Sequence, residues 1–376
     1  MMSSTSMIFR RPQAIIFLCT AVLVLTFLLS RSSHGLKLRS DTAFHDNDDG
    51  ATTKPKGVIL MLLPPSRIHQ ATLALRNVED RFNRRLKYPY VLFMVEGEYE
   101  QVTELERERI DYITEGRAKF AEVPRSQWDV PDWMDKSLVE ASLDRIGFSH
   151  GYRAMCRFYS GFFWKHPALA PYDWLWRLDT DIEFHCDIPY DPIERMVQNT
   201  ALYGFVQVAY DAEWVQPSLA SNVSAFMASV HDGSTSLAFP DDANHAFVWH
   251  GKEGVEKAMR GDAGNQEWTK RCMYNNFEIS HRSVWESDLY TKFFEFLDRA
   301  GGFFYERWSD SPIHSFGISM SLRKDQVLQF KDMGYQHQGW EYECPAQSSL
   351  CTCLKEKEFE NFKDGGEGWF EPDGRT

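Results

Sequence analysis

The chain of 376 residues is 43% hydrophobic and 14% aromatic, enough for a sizeable core and too rich in rings for low-complexity disorder. Its 54 acidic and 41 basic residues leave a formal net charge of −13, which excludes a dedicated nucleic-acid binder and a polybasic membrane-surface protein. The aromatic excess has two readings, a large core or faces that stack on sugar rings.

The first element is an uncharged run over residues 14–30 (AIIFLCTAVLVLTFLLS), preceded by Arg10, Arg11 and Pro12 and followed by Arg31. Its length lies at the short end for a membrane span, and the basic pair before it fits a cytoplasmic N-terminus. A cleaved signal peptide is the competing reading, but the run is long for one and no small-x-small site follows. Residues 1–13 then read as a cytoplasmic tail, 14–30 as a signal-anchor transmembrane helix, 31–56 as a flexible polar stem and 57–376 as a luminal domain. Either reading sends the remaining chain into the secretory lumen. The sequon Asn222-Val223-Ser224 agrees. So do the Cys residues beyond the apolar run: Cys156, Cys186, Cys272, Cys344, Cys351 and Cys353, an even set that suits disulfides in several possible pairings. Zinc is the weaker alternative, because Cys351-Thr352-Cys353 is a poor chelate spacing with no second close pair.

Val58 through Leu63 is a short apolar run ending in Pro64-Pro65, as expected of a buried parallel strand. A helical stretch with Leu73, Leu75, Val78 and Phe82 follows, then a second buried strand over Tyr90 to Val95. Strand, helix, strand predicts an α/β sheet with helices on its faces. Further strands are expected at Trp174–Leu178 and Tyr203–Val208. Leu289, Phe293, Phe296 and Leu297 have helical spacing over 287–300, with Gly301-Gly302 as the stop. Ser311-Pro312 has the form of an N-cap and first helical residue. No repeat is visible, so one catalytic-size domain with a Cys-bearing tail is expected.

The sharpest chemical feature is Asp179-Thr180-Asp181 at the carboxyl end of an apolar strand, where open α/β sheets bind ligands. Two carboxylates there can hold a hard divalent ion against a diphosphate, which lets an acidic protein bind an anionic substrate without a basic groove.

Longer blocks carry a resemblance. Tyr152-Arg153-Ala154-Met155-Cys156-Arg157-Phe158-Tyr159-Ser160-Gly161-Phe162-Phe163 runs on to the block at 176–179; Phe184-His185-Cys186-Asp187-Ile188, Asn276-Phe277-Glu278-Ile279 and the stretch from Gly301 to Ser315 follow. Over roughly 57–353 the chain resembles the fungal α-1,2-mannosyltransferases of the Kre/Ktr type, glycosyltransferase family fifteen. The resemblance implies a type II Golgi membrane protein with a GT-A fold, transferring mannose from GDP-mannose to a mannoside or glycoprotein-glycan acceptor, with Mn2+ and retention of configuration. It implies Asp179 and His337 as metal ligands, with Asp181 as a possible helper. Tyr152 matches a donor-side tyrosine, with Arg153 and Arg177 as its neighbours. Glu278 matches the carboxylate at the reacting carbon, and alternation with Phe277 and Ile279 suggests an exposed face. Asp310, placed before the helix, matches an acid that receives the acceptor's proton, and Tyr274 an acceptor-pocket aromatic. Read without the resemblance, His337 is a structural histidine, Glu278 a polar-face residue and Asp310 a turn residue. Two rivals have sequence support: a luminal mannan-binding protein without activity, from the poor match over about 241–270, and a retaining glycosidase using Glu278 and Asp310.

Overall fold

The computed structural model describes residues 54–353 apart from 339, 343–344 and 346–347. The tail and anchor expected over 1–30, and most of the stem, lie outside the described residues. Among the described residues no helix is long and apolar enough to cross a membrane.

The strands are β1 (Gly57–Leu62), β2 (Tyr90–Val95), β3 (Ala118–Val123), β4 (Trp174–Leu178), β5 (Ile182–Phe184), β6 (Tyr203–Phe205), β7 (Val208–Tyr210), β8 (Arg271–Met273), β9 (Phe277–His281), β10 (Val327–Gln329), β11 (Tyr335–His337) and β12 (Trp340–Tyr342). The principal helices are α1 (Ile68–Val78), α2 (Glu104–Thr114), α3 (Lys136–Ile146), α4 (His150–Gly161), α5 (Leu219–His231), α6 (Gly251–Arg260), α7 (Asp288–Ala300) and α8 (Asp310–Ser321). The main sheet has the order β10-β6-β9-β4-β1-β2-β3; β5, β11 and β12 form a smaller sheet, and β7 pairs with β8. Within the main sheet β9 runs antiparallel between β4 and β6, while β1, β2, β3 and β4 are mutually parallel where they pair.

Continuous apolar runs make the central strands because both faces are covered. Val58, Leu60, Val91, Phe93 and Leu175 point into one core with residues of α3, α4, α5, α7 and α8. Ile59, Met61, Tyr90, Leu92 and Trp176 point into the other, with residues of α1 and α2. This three-layer α/β arrangement is the GT-A-like fold expected from the sequence. The rings mostly fill these cores: Trp164, Trp176, Trp285 and Trp308 are all fully buried, and Trp164 stacks on Trp285 with centroids 5.9 Å apart.

Three sequence expectations shift in detail. The run Tyr203–Val208 divides into β6 and β7 at a bend through Val206 and Gln207, after which the chain leaves the main sheet to pair with β8. Helix α8 starts earlier than expected: Ser309 is its N-cap and Pro312 its third residue. A proline fits there because the first-turn N–H groups have no intrahelical acceptor. The sequon lies within α5, where Asn222 Nδ2 donates to Ser218 O at 2.8 Å and Ser224 is buried.

Cys186 and Cys351 form a disulfide, and Cys353 is also disulfide-bonded. Cys156 and Cys272 are buried free thiols, so the even set beyond the apolar run is not fully paired. Burial pushes both thiols up, away from the reactive thiolate.

Candidate active site

The site forms where β4 ends. Asp179 follows the last residue of β4, and its N–H donates to Asn276 O at 3.1 Å, just ahead of β9. The chain then turns through Asp181 into β5. Asn77 and Arg81, from α1 and the turn after it, bond the backbone of Phe184 and hold β5 against the sheet. Pairing of β5 with β11 sets His337 opposite Ile182. Two residues distant in sequence thus reach one point: His337 Nε2 lies 3.2 Å from Asp181 Oδ1 and 3.8 Å from Asp179 Oδ2. The three potential ligand atoms lie within 4.8 Å of one another.

The donor set fits a divalent transition ion. Two carboxylates and one imidazole suit Mn2+ better than Mg2+, which prefers oxygen and water. Arg67 Nη1 and Gln338 Nε2 bond the outer oxygen of Asp181 at 3.0 and 3.1 Å and fix its orientation. Burial acts to raise the pKa of Asp181, but the His337 hydrogen bond and charge, with Gln338 and Arg67, hold it below the usual carboxylate range. For Asp179 burial prevails and the pKa is raised, against the pull of Arg177 and His337.

Behind the acids lies a buried polar chain. Arg177 donates to Asp179 Oδ1 at 3.3 Å and, through Nη1, to Asp310 Oδ2 at 2.5 Å. Its guanidinium sits 3.6 Å from the Tyr159 ring centroid. Asn275 Nδ2 donates to the same Asp310 oxygen at 3.0 Å and lies 3.3 Å from His314 Nδ1. His314 Nδ1 and Glu278 Oε2 are 2.6 Å apart, and Tyr203 Oη donates to that oxygen at 2.8 Å. Because His314 Nε2 faces the Tyr159 carbonyl at 3.0 Å, that nitrogen carries a hydrogen. Antiparallel register explains the gathering: Arg177 of β4 pairs with Glu278 of β9 on one sheet face, and Asp310 and His314 are i, i+4 on α8.

A cleft of about 180 Å3 opens beside the cluster, with Tyr152, Asp211, Tyr274, Arg307 and His337 among its walls. Tyr274 packs edge-on against His337, with centroids 5.3 Å apart. Tyr152 packs with Phe148 and Arg307.

Several expected site residues stand differently. Arg153 is fully buried and bonds Ser142, Gly147 and Phe304 O, so it braces loops and does not reach the cleft. One helical step from Tyr152 turns it to a different face of α4. Glu278 does alternate with Phe277 and Ile279, but its face is covered by α8 and it is 1% exposed. Asp310 is the first residue of α8 and is 3% exposed, pinned by Arg177 and Asn275. Burial acts to raise its pKa, yet Arg177 and His314 bring it below the usual range. Arg177 joins Asp179 to Asp310 and does not line the cleft. Asn275, His314, Tyr159 and Tyr203 were not anticipated; the i, i+4 spacing of Asp310 and His314 was the available signal.

The profile of the glycolipid 2-alpha-mannosyltransferase family matches residues 30–369. The chain belongs to this family. It is 32% identical to the glycolipid 2-alpha-mannosyltransferase 2 of Candida albicans, over 81% of this chain and 64% of that one. It is 33% identical to the probable mannosyltransferase KTR3 of Saccharomyces cerevisiae, over 85% and 76%. Among solved structures, the Mn/GDP form of core-mannan synthase A (CmsA/Ktr4) from Aspergillus fumigatus superposes with a TM-score of 0.71 at 26% identity, covering 83% of this chain and 82% of that one.

Proposed function

We propose that the chain is a retaining α-1,2-mannosyltransferase, moving mannose from GDP-mannose to mannose-terminated glycans of glycoproteins, N- or O-linked, in protein glycosylation and cell-wall mannan synthesis. The observation that carries this reading is the Asp179–Asp181–His337 cluster at the carboxyl end of β4, whose His337 lines one cleft with Tyr274. The Aspergillus relative, of the same fold, holds Mn and GDP. A Golgi address with the catalytic domain luminal, anchored by residues 14–30, belongs to the same reading.

Asp179, Asp181 and His337 hold the ion. When bound, Mn2+ offsets the charge that grows on the leaving diphosphate. The protein's own residues keep that pocket in register. Arg177 fixes the rear oxygen of Asp179, so the front oxygen stays toward His337. Asp310 holds Arg177. We assign Glu278 an electrostatic and positioning role: it anchors His314, which adjoins Asn275 and through it Asp310. Its burial supports this role over direct attack on the sugar. We assign Tyr274, which packs edge-on against His337, to the acceptor pocket.

The test is incubation with GDP-mannose, Mn2+ and methyl α-mannoside, with the product linkage read by NMR. An α-1,2-linked disaccharide is the expected product. Saccharide binding without transfer to any mannoside favours the non-catalytic mannan-binding reading. Metal-independent hydrolysis of aryl mannosides favours the glycosidase.

A further inference from the structure

Glu278 is a buried acid that, among the described residues, no arginine or lysine bonds. Its hydrogen bonds fall on Oε2, from Tyr203 Oη at 2.8 Å and with His314 Nδ1 at 2.6 Å. Its Oε1 is buried without a partner. Holding an ionised carboxylate in such a place is costly unless a counter-charge stands beside it. His314, itself fully buried, is the group in contact that can supply one.

The surroundings of His314 favour the imidazolium. Nε2 faces the Tyr159 carbonyl at 3.0 Å, a group that can only accept. Nδ1 faces a carboxylate oxygen at 2.6 Å, too close for two lone pairs, so a hydrogen lies between them. Tyr203 already donates to that oxygen, which places the hydrogen on Nδ1. Asn275 directs its amide to Asp310 at 3.0 Å, so its longer approach to Nδ1, 3.3 Å, requires no lone pair there. The Trp285 ring centroid is 4.6 Å from that of His314, within the range at which an aromatic ring favours a cation. Charges then alternate along the buried chain, from Asp179 through Arg177, Asp310 and His314 to Glu278.

We propose that His314 is a positioning residue of the transfer reaction: with hydrogen on both ring nitrogens, it is the counter-charge that holds Glu278 as a fixed, ionised carboxylate. This rests on the transferase reading above and adds the residue through which Glu278 is kept in that state. The ring is held from two sides. The Tyr159 carbonyl orients it from α4, and the Tyr159 ring lies against the Arg177 guanidinium, so one residue sets both buried cations. Helix α8 carries Asp310 and His314 one turn apart, the first meeting Arg177 of β4 and the second Glu278 of β9.

The first test is 15N NMR of the full chain labelled at histidine, with His314 identified by its through-space contact with the Trp285 ring. Two protonated ring nitrogens are expected in the parent, and one in Glu278→Gln, where the counter-charge is no longer matched. A bare ring nitrogen in the parent overturns the proposal. A kinetic cycle then separates positioning from packing. His314→Gln is expected to lower kcat by about 10²-fold, with KM for GDP-mannose within about threefold of the parent. In the Glu278→Gln background the same change should cost less than about threefold, because the interaction it removes is already absent. Equal losses in both backgrounds, or a parent-like kcat in His314→Gln, overturn the proposal. If His314→Gln does not fold, the NMR comparison of the parent with Glu278→Gln decides alone. If the unmodified protein transfers no mannose, the transferase reading fails on its own, and the pairing of His314 with Glu278 still stands or falls by the NMR result.

Discussion

Arg177 and Glu278 form a cross-strand pair on the covered face of the sheet, and the acids of the site depend on them in different ways. Arg177 is a shared cation between Asp179 and Asp310, whereas Glu278 meets His314 and Tyr203. A buried charge deprived of its partner is costly, so these groups hold each other in place. For Glu278→Gln, which keeps shape and one acceptor, kcat is expected to fall by about 10²-fold, as when one electrostatic contact is removed. A fall nearer 10⁶-fold would instead identify a covalent nucleophile. Parent-like kcat would remove Glu278 from the chemistry altogether. At this scale sequence was a partial guide. Asp179 and Asp181 were legible because they end an apolar strand. The pairing of Arg177 with Glu278 was not, because it depends on strand register across about a hundred residues. Position 337 carried no local signal and was reached only through family resemblance.

Among elements, the buried strands β1, β2 and β4 were legible as continuous apolar runs. Strand β3 was not, since it is an edge strand whose residues alternate partly exposed and buried. Three-residue strands such as β5, β8 and β11 are too short for any pattern, yet β5 and β11 carry the metal corner. The disulfide from Cys186, just after β5, to Cys351 spans 165 residues and ties the tail to this corner. Replacing both with Ser is expected to cost about 2–5 kcal/mol by chemical denaturation and to weaken Mn2+ binding through a looser β5–β11 pair. Unchanged stability would show that the sheet alone holds the tail. A second element-scale effect lies in the 3-10 turn His245–Phe247. Burial lowers the pKa of His245 from 6.5 to about 4, so the folded state binds fewer protons than the unfolded state between these values. The stability this contributes is complete above the unfolded pKa and is lost as pH falls toward the folded one, by at most roughly 3 kcal/mol. Thermal unfolding between about pH 7 and pH 5 is expected to show a falling Tm in the parent and a shallower fall in His245→Gln. Equal slopes would remove His245 as the cause.

For the molecule as a whole, the proposed function has an acidic chain bind an anionic donor through an ion held by a few carboxylates and an imidazole, without a basic groove. The aromatic excess is mainly core, and the exposed rings near the cleft are few. Fold class was legible because both cores are built from alternate residues of the same strands. The metal corner is the feature on which the function depends. It is tested most directly by the initial rate of mannosyl transfer after EDTA treatment, titrated back with Mn2+, in the parent and in His337→Ala. EDTA should abolish transfer and Mn2+ restore it in the parent, while His337→Ala should need at least about tenfold more Mn2+. Transfer that persists in EDTA, or a His337→Ala protein that titrates like the parent, would contradict the assignment.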